Sequence, residues 1–211
     1  SDNTEEKLKK LECNYKKISK NEFSHSLVRE KAGFEAEGDI LVFITQDIKI
    51  VDEYWLYYLT KDIIDGKCEA AFSRQIGYEN HKVERYTREI NYPSESRIVS
   101  KKDIDRLGLM TFFFSDASSA ISKKVFMELK GYDNKNLPTN EDMYFAYKLI
   151  MSGYRIEYAA DSKIIHSHDL SFKETVKRYS DIGKFFEENK YLKKYSAGER
   201  GVAVLKYIAK R

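Results

Sequence analysis

The sequence predicts an α/β domain, with a mixed, mostly parallel central sheet and flanking helices, and two observations carry that expectation. The first is an unbroken apolar run, Ile40-Leu-Val-Phe-Ile44, three of whose residues are β-branched and one aromatic. Such a run reads as a strand buried on both faces. The second is its context: a helical pattern ending at Gly38 leads straight into it, and helix and strand patterns alternate afterwards. The run closes on Thr45, Gln46 and Asp47, so a carboxylate stands at a strand's carboxyl end, where open α/β sheets bind ligands. Asp47 is therefore a candidate for holding a metal or a phosphate-bearing ligand, and its plainer reading is a turn residue before Asp52.

Composition narrows the classes. The 211 residues suit one domain with a sizeable core, with or without a helical appendage. Lys+Arg 37 against Asp+Glu 34 leaves a net charge of +3, too balanced for a nucleic-acid partner, and the basic excess gathers from Lys163 onward. Cys13 and Cys68 have neither zinc-type spacing nor a disulfide framework, which points to a reduced, cytosolic setting. No apolar run approaches the ~20 residues of a membrane span. With 16 Tyr and 12 Phe, aromatics can fill a core and also leave hydroxyls near a polar ligand such as a sugar.

In chain order, Ser1-Asp-Asn-Thr4 before Glu5 and Glu6 looks like a helix start, with Asp2 or Thr4 as N-cap. A domain opening on a cap is expected to lack the strand and helix that would precede it. Leu8, Leu11 and Cys13 suggest a short amphipathic helix, 14–19 an edge strand, and 25–37 a second helix. The strand 40–46 is followed by a helix from Trp55 to Ile64, with Leu56, Leu59 and Ile63 at helical spacing. Cys68 to Phe72 reads as a strand leading into Arg74-Gln75, and 76–105 as a polar excursion of little regular structure. Phe112-Phe-Phe114 forms a short apolar run, Ala117–Lys130 a helix closed by Gly131, and a further helix follows Asp142. Strands are expected at Tyr154–Tyr158 and Ser162–His168, then helices over 171–211 with breaks at Gly183, Gly198 and Gly201. The expected division is a catalytic domain over 1–170 and a C-terminal helical extension over 171–211.

Three short motifs carry chemistry: Thr45-Gln46-Asp47, Asn140-Glu141-Asp142 and His166-Ser-His168. Each has a plain structural explanation. Acids after Asn140 stabilise a helix N-terminus, and histidines at i, i+2 share one face of a strand as solvated groups. Together they supply oxygen and nitrogen ligands for a divalent ion and a spare carboxylate as base, the inventory for moving a group activated by a diphosphate.

On these motifs the chain resembles family-2 glycosyltransferases of the GT-A fold, and within them the bacterial rhamnosyltransferases that use dTDP-L-rhamnose. Residues 1–4 are similar to the tail of that family's Asp-Ser-Gly-Ser-Thr-Asp-x-Thr motif. Phe23-Ser-His-Ser-Leu-Val-Arg29 is similar to Phe-x-His-Gly-x-x-Arg-Asn, with Ser26 in place of Gly and Glu30 in place of Asn. Thr45-Gln46-Asp47 resembles the family's Asp-x-Asp motif, and Ser73-Arg74-Gln75 its Gly-Arg-Gln segment. Arg85-Tyr-Thr-Arg88, Asn91-Tyr-Pro93, Phe114-Ser-Asp116, Glu141-Asp142, His166-Ser-His168 and Arg178-Tyr-Ser-Asp181-Ile-Gly183 follow in family order, over about residues 1–187.

The resemblance implies an inverting transferase with a divalent cofactor, Mg2+ or Mn2+, held by Asp47 and His166 or His168. It places Asp2, Arg29, Gln46, Arg74 and Asp116 on the donor side, Asp116 being equally a helix N-cap before Ala117. Asp142, beside Glu141, is the implied general base. A helix N-terminus lowers its pKa, while burial and Glu141 raise it. The implied partners are dTDP-L-rhamnose and a glycan or lipid-linked acceptor. The basic, aromatic-rich tail reads either as peripheral contact with the inner face of an anionic membrane or as helices packed on the domain. A transferase using another nucleotide sugar and an inactive sugar-binding fragment are the alternative readings, whereas a nucleotidyl or phosphoryl transferase would need a Gly-rich phosphate loop that is absent.

Overall fold

The computed structural model describes residues 3–79, 82–168 and 170–195. Asp2 and the expected breaks at Gly198 and Gly201 lie outside the described residues. The elements are α1 (Thr4–Lys10), α2 (His25–Glu35), β1 (Ile40–Ile44), β2 (Lys49–Ile50), α3 (Trp55–Ile64), β3 (Ala70–Ile76), α4 (Lys82–Asn91), β4 (Arg97–Val99), α5 (Ile104–Leu107), β5 (Ser118–Ser122), α6 (Lys123–Glu128), α7 (Glu141–Met151), β6 (Ile156–Ile165) and α8 (Phe172–Glu188). Among the described residues no helix is long and apolar enough to cross a membrane.

The sheet is mixed and runs β1-β5-β3-β6-β2, with β4 also pairing β6. Its one parallel pairing is β3 with β6; the others are antiparallel, so the expectation of a mostly parallel sheet is corrected. The reason lies in residues 117–130, expected as one helix. Their first part is β5, which is antiparallel to both β1 and β3 and separates them. Ser118, Ser119, Ala120 and Ile121 are all buried there, because small side chains let the neighbouring layers close on the middle of the sheet. The helix resumes only as α6.

β1 is not buried on both faces. Among the described residues it pairs with β5 alone; Leu41 is buried, while Val42 and Ile44 are 38% and 54% exposed. Residues 14–19 carry no strand. The polar stretch 76–105 holds α4 and β4 rather than an irregular excursion, and the two strands expected at 154–168 are one, β6, of 10 residues.

Alternation along β3 divides the core. Phe72 faces a large aromatic cluster with Phe112, Phe126, Tyr132, Phe145 and Tyr158, into which Phe185 of α8 and Leu192 also pack. Ala71 faces a smaller cluster under α3, where Trp55 and Leu59 stand one helical turn apart and meet Ala120 and Ile164. Fully burying Leu59 contributes roughly 1.5–3 kcal/mol. Beneath Trp55 lies a closed polar network. The indole N–H donates to Ser73 Oγ and Ser118 Oγ at 3.2 and 3.0 Å, Ser73 Oγ lies 2.7 Å from Ser162 Oγ, and Ser162 donates to the Trp55 carbonyl at 3.0 Å. These bonds satisfy hydroxyls that would otherwise be costly to bury.

Glu157 of β6 is buried beneath the same helix beside Cys68. Burial first, and then the Asp62 carboxylate, push its pKa up to about 7. An unfolded glutamate titrates near ~4.3, so the folded state binds the extra proton and stability is lost as pH rises through the folded value. Glu157→Gln is therefore expected to raise the melting temperature more at pH 8 than at pH 5. Thermal unfolding at the two pH values checks this, and an equal effect at both would contradict it.

Candidate functional site

Asp47 lies on the turn between β1 and β2. β2 pairs with the end of β6, Lys49 opposite Ile165, which carries that turn to the residues just beyond β6. His166 follows there, its N–H donating to the Ile76 carbonyl at 3.0 Å so that the chain stays beside β3. Asp47 Oδ2 is 3.4 Å from His166 Nε2 and 3.7 Å from His168 Nδ1, and the two imidazoles meet edge to face at 4.6 Å between centroids. One ligating atom from each of the three residues lies within 4.8 Å of the other two. Asp47 is thus a turn residue, as its plainer reading has it, and its carboxylate also stands in this cluster.

The electrostatics suit a cation. Burial tends to raise the Asp47 pKa, but the Thr45 hydroxyl and the facing imidazoles prevail and hold the carboxyl below its usual range. Burial, and then the charge of Arg88, depress His166 to about 4, so its ring is neutral at physiological pH. Burial and then Arg178 depress His168 as well. One carboxylate oxygen and two imidazole nitrogens that close together form a donor set fit for a divalent metal.

A second cluster forms where α2 meets the start of α7. Asn140, the residue before the helix, adopts a left-handed conformation (φ 58°) and makes no side-chain cap. Glu141 is buried and accepts from Arg29 Nη1 at 2.5 Å. Asp116 is buried too, its oxygens accepting from Ser119 Oγ and Tyr132 Oη, each at 2.7 Å. No helix begins at Ala117, so the N-cap reading of Asp116 is corrected. Burial and the Asp116 charge raise the Glu141 pKa against the pull of Arg29. Burial, then Glu141 and Asp116, lift Asp142 well above the usual carboxylate range. Its own bond from the Met143 N–H, at 2.7 Å, opposes this without prevailing.

A cavity of about 630 Å³ joins the two clusters, because Asp142, His166 and His168 all line it. Arg88 and Arg178 add positive charge, and Tyr92, Phe113 and Phe114 an aromatic wall. The structure does not bring every candidate here. Asp47, Glu141, Arg29 and Asp116 are absent from its lining, Asp47 reaching the lining His166 from the neighbouring turn and Arg29 being committed to Glu141. Gln46 is exposed on the Asp47 turn. Arg74 alternates with Gln75 on β3, does not line the cavity, and acts electrostatically on Tyr158.

Residues that had no site role in the sequence reading bond to the site or to the loop leading to it. Glu84 and Arg88 are one turn apart on α4; Arg88 pairs with Glu84 and donates to Gln75 Oε1, while Glu84 Oε2 accepts from Ser167 Oγ and the His168 N–H, each at 2.7 Å. The i, i+4 acid–base spacing was the available signal. Ser26 and Glu30 of α2 fasten the loop before α7. Ser26 Oγ donates to the Lys135 carbonyl at 2.6 Å and accepts from the Leu137 N–H at 2.9 Å, while Glu30 accepts the N–H groups of Tyr132 and Asn134.

Comparison with known proteins adds relatives. No protein-family model matches the chain. It is 30% identical over 190 residues to the O-antigen chain rhamnosyltransferase RfbN of Salmonella typhimurium, and 33% identical over 186 residues to the O-antigen chain rhamnosyltransferase WbaN of Salmonella anatum. Each match covers 87% of this chain and 59% of the relative, so the chain spans little more than half the length of these proteins. Among solved structures it is similar to S. aureus TarS 1–349 in complex with UDP-GlcNAc (TM-score 0.58, 15% identity, 81% of this chain and 48% of that one). It is also similar to GalNAc-T7 with UDP, GalNAc and Mn2+ (TM-score 0.56, 14% identity, 80% and 34%). These likenesses establish the GT-A fold.

Ser26→Ala would leave the buried Leu137 N–H without its acceptor. The expected loss is ~1–3 kcal/mol of stability. Urea unfolding measures it, and a change below a few tenths would contradict the clamp.

Proposed function

From a GT-A chain whose curated homologues are O-antigen rhamnosyltransferases, we propose that this protein supplies the catalytic site of an inverting, metal-dependent glycosyltransferase. It moves L-rhamnose from dTDP-L-rhamnose to a hydroxyl of a cell-surface polysaccharide or its lipid-linked precursor. The observation that carries the reading is the cavity that Asp142, His166 and His168 line together.

Asp47, His166 and His168 would hold Mg2+ or Mn2+. Bound there, the cation supplies Lewis-acid stabilisation to the diphosphate as the sugar leaves. Arg88 and Arg178, on the same cavity, offer positive charge to the phosphate oxygens. The aromatic wall of Tyr92, Phe113 and Phe114 suits the apolar face of a deoxysugar and excludes water. The acceptor oxygen forms the new bond to C1 as the bond from C1 to the phosphate oxygen breaks. Asp142 takes the hydroxyl proton, and dTDP departs with the bonding electrons. Since one displacement suffices, the anomeric centre inverts.

The raised pKa of Asp142 strengthens it as a base once ionised. It also places the acid limb of the pH–rate profile above the ordinary carboxylate range. The proposal extends to the membrane, where lipid-linked acceptors reside. On α8 Phe172, Val176 and Tyr179 are 86%, 52% and 69% exposed along one face, and Lys173, Lys177 and Lys184 lie on the same helix.

Asp142→Asn is expected to reduce transfer by about 10²-fold or more, the scale of a lost general base, while donor binding persists. Turnover with dTDP-L-rhamnose and calorimetric donor titration separate these effects, and retained turnover would remove Asp142 from the role. His166→Ala is expected to abolish the Mn2+ dependence of donor binding. An unchanged metal response would count against the three-residue metal site.

A further inference from the structure

Gln75 is buried at the end of β3, within bonding distance of three polar groups. Its Oε1 accepts from Arg88 Nη1 and lies 2.9 Å from His166 Nδ1, while its Nε2 donates to Ser115 Oγ at 2.7 Å. The orientation of this amide follows from chemistry. A guanidinium has only donors, so the amide atom facing Arg88 must be the oxygen. That same oxygen faces His166 Nδ1 and can only accept, so Nδ1 must carry the hydrogen. In a neutral ring Nε2 is then left with its lone pair, and Nε2 is the atom 3.4 Å from Asp47 Oδ2.

Arg88 is itself held. Its other terminal nitrogen donates to Glu84 Oε1 at 3.0 Å, and Glu84 uses its second oxygen to fix Ser167 and the backbone of His168. One helix, α4, therefore controls the tautomer of one histidine through Gln75 and the chain position of the other directly.

We propose that Gln75, oriented by Arg88 and Ser115, is the positioning residue that keeps His166 in its Nδ1-protonated tautomer and presents Nε2 as a metal ligand. The inference rests on the metal reading of Asp47, His166 and His168, and its primary readout does not require the metal. Gln75 also lines the cavity, and the role assigned to it here is indirect. It acts through His166, as outer groups that bond the far nitrogen of a ligating histidine do.

The experiment is long-range 1H–15N correlation of the histidine rings in the metal-free 211-residue chain at pH 8, followed by Mn2+ titration calorimetry. The wild-type protein is expected to show His166 protonated at Nδ1. Gln75→Leu removes the acceptor, and is expected to move the hydrogen to Nε2 and to weaken Mn2+ binding by about 10–100-fold. Gln75→Glu keeps an acceptor for both Arg88 and Nδ1, and is expected to retain the wild-type tautomer and affinity. A His166 already protonated at Nε2 in the wild type overturns the inference, as does a Gln75→Leu protein that keeps the Nδ1–H pattern. If Gln75→Leu does not fold, Gln75→Glu decides alone, an Nε2–H ring there being the contrary result. Absence of Mn2+ binding in the wild type, with the tautomer shifting as described, removes the metal reading and leaves the positioning role in place.

Discussion

Everything at the ligand edge depends on how β6 runs beside β3. The two strands begin in one parallel register, with Ser73 opposite Ala159, and resume in another, with Arg74 opposite Lys163. The surplus residues bulge from β6, and the bulge is anchored because Ser162 bonds Ser73 and the Trp55 carbonyl. Without that shift Asp161 would stand level with Gln75, and His166 would lie about 16 Å further along at ~3.3 Å per residue. With it, Ile164 is level with Gln75 and His166 follows at bonding distance. The buried serine network under α3 is thus the footing of the metal-type cluster, and packing at one end of the strand sets chemistry at the other.

The carboxylates near α7 show which electrostatic effect prevails. A helix N-terminus favours an ionised Asp142 by about 0.3–1 kcal/mol at an exposed site. Burial beside other carboxylates shifts a group by several pKa units in extreme cases, each unit being ~1.4 kcal/mol. Asp142 follows the larger effect, and Arg29 does not reverse it because its close contact is with Glu141. Asp116 adds to the crowding while its own oxygens are engaged by Ser119 and Tyr132. Four charged groups thereby divide their work, with Glu141 neutralised by Arg29, Asp116 hydrogen-bonded in the core, and Asp142 left facing the cavity with a raised affinity for a proton.

How much of this could be read from the sequence varies with the kind of signal. α3 was legible to the residue, from Trp55 to Ile64, because an amphipathic helix states its period in its own side chains. The acids at the start of α7 and the histidine pair were legible as clusters of titratable groups, and the cavity that Asp142 shares with the histidines was not. β5 was hidden because Ser118, Ser119 and Ser122 give no strand alternation. Ser118 and Ser119 are held in place by hydrogen bonds to Trp55, Ser73 and Asp116, which no local pattern records. The apolar run of β1 misled in the opposite direction, since five apolar residues do not tell an edge strand from a central one. Gln75 and Arg88 stood in recognisable motifs, yet their meeting depends on α4, and a polar segment with tertiary partners reads locally as loop.

The two places where α2 departs from the family pattern, Ser26 and Glu30, illustrate the same dependence on partners. They stand four residues apart and so face one side of the helix. Both spend that side on the segment from Gly131 to Leu137. Gly131 makes the approach feasible. It has φ 49°, and a Cβ there would come within 2.9 Å of the Glu30 carboxylate. Lys148 of α7 closes the segment from the other side, donating to the Leu129 and Gly131 carbonyls and pairing with Asp133. The loop that delivers Asp142 is therefore gripped by α2 and α7 through its backbone, at positions remote from the cavity. A carboxylate held in that way needs little anchoring of its own: Oδ1 accepts the Met143 N–H, which leaves Oδ2 available for a proton.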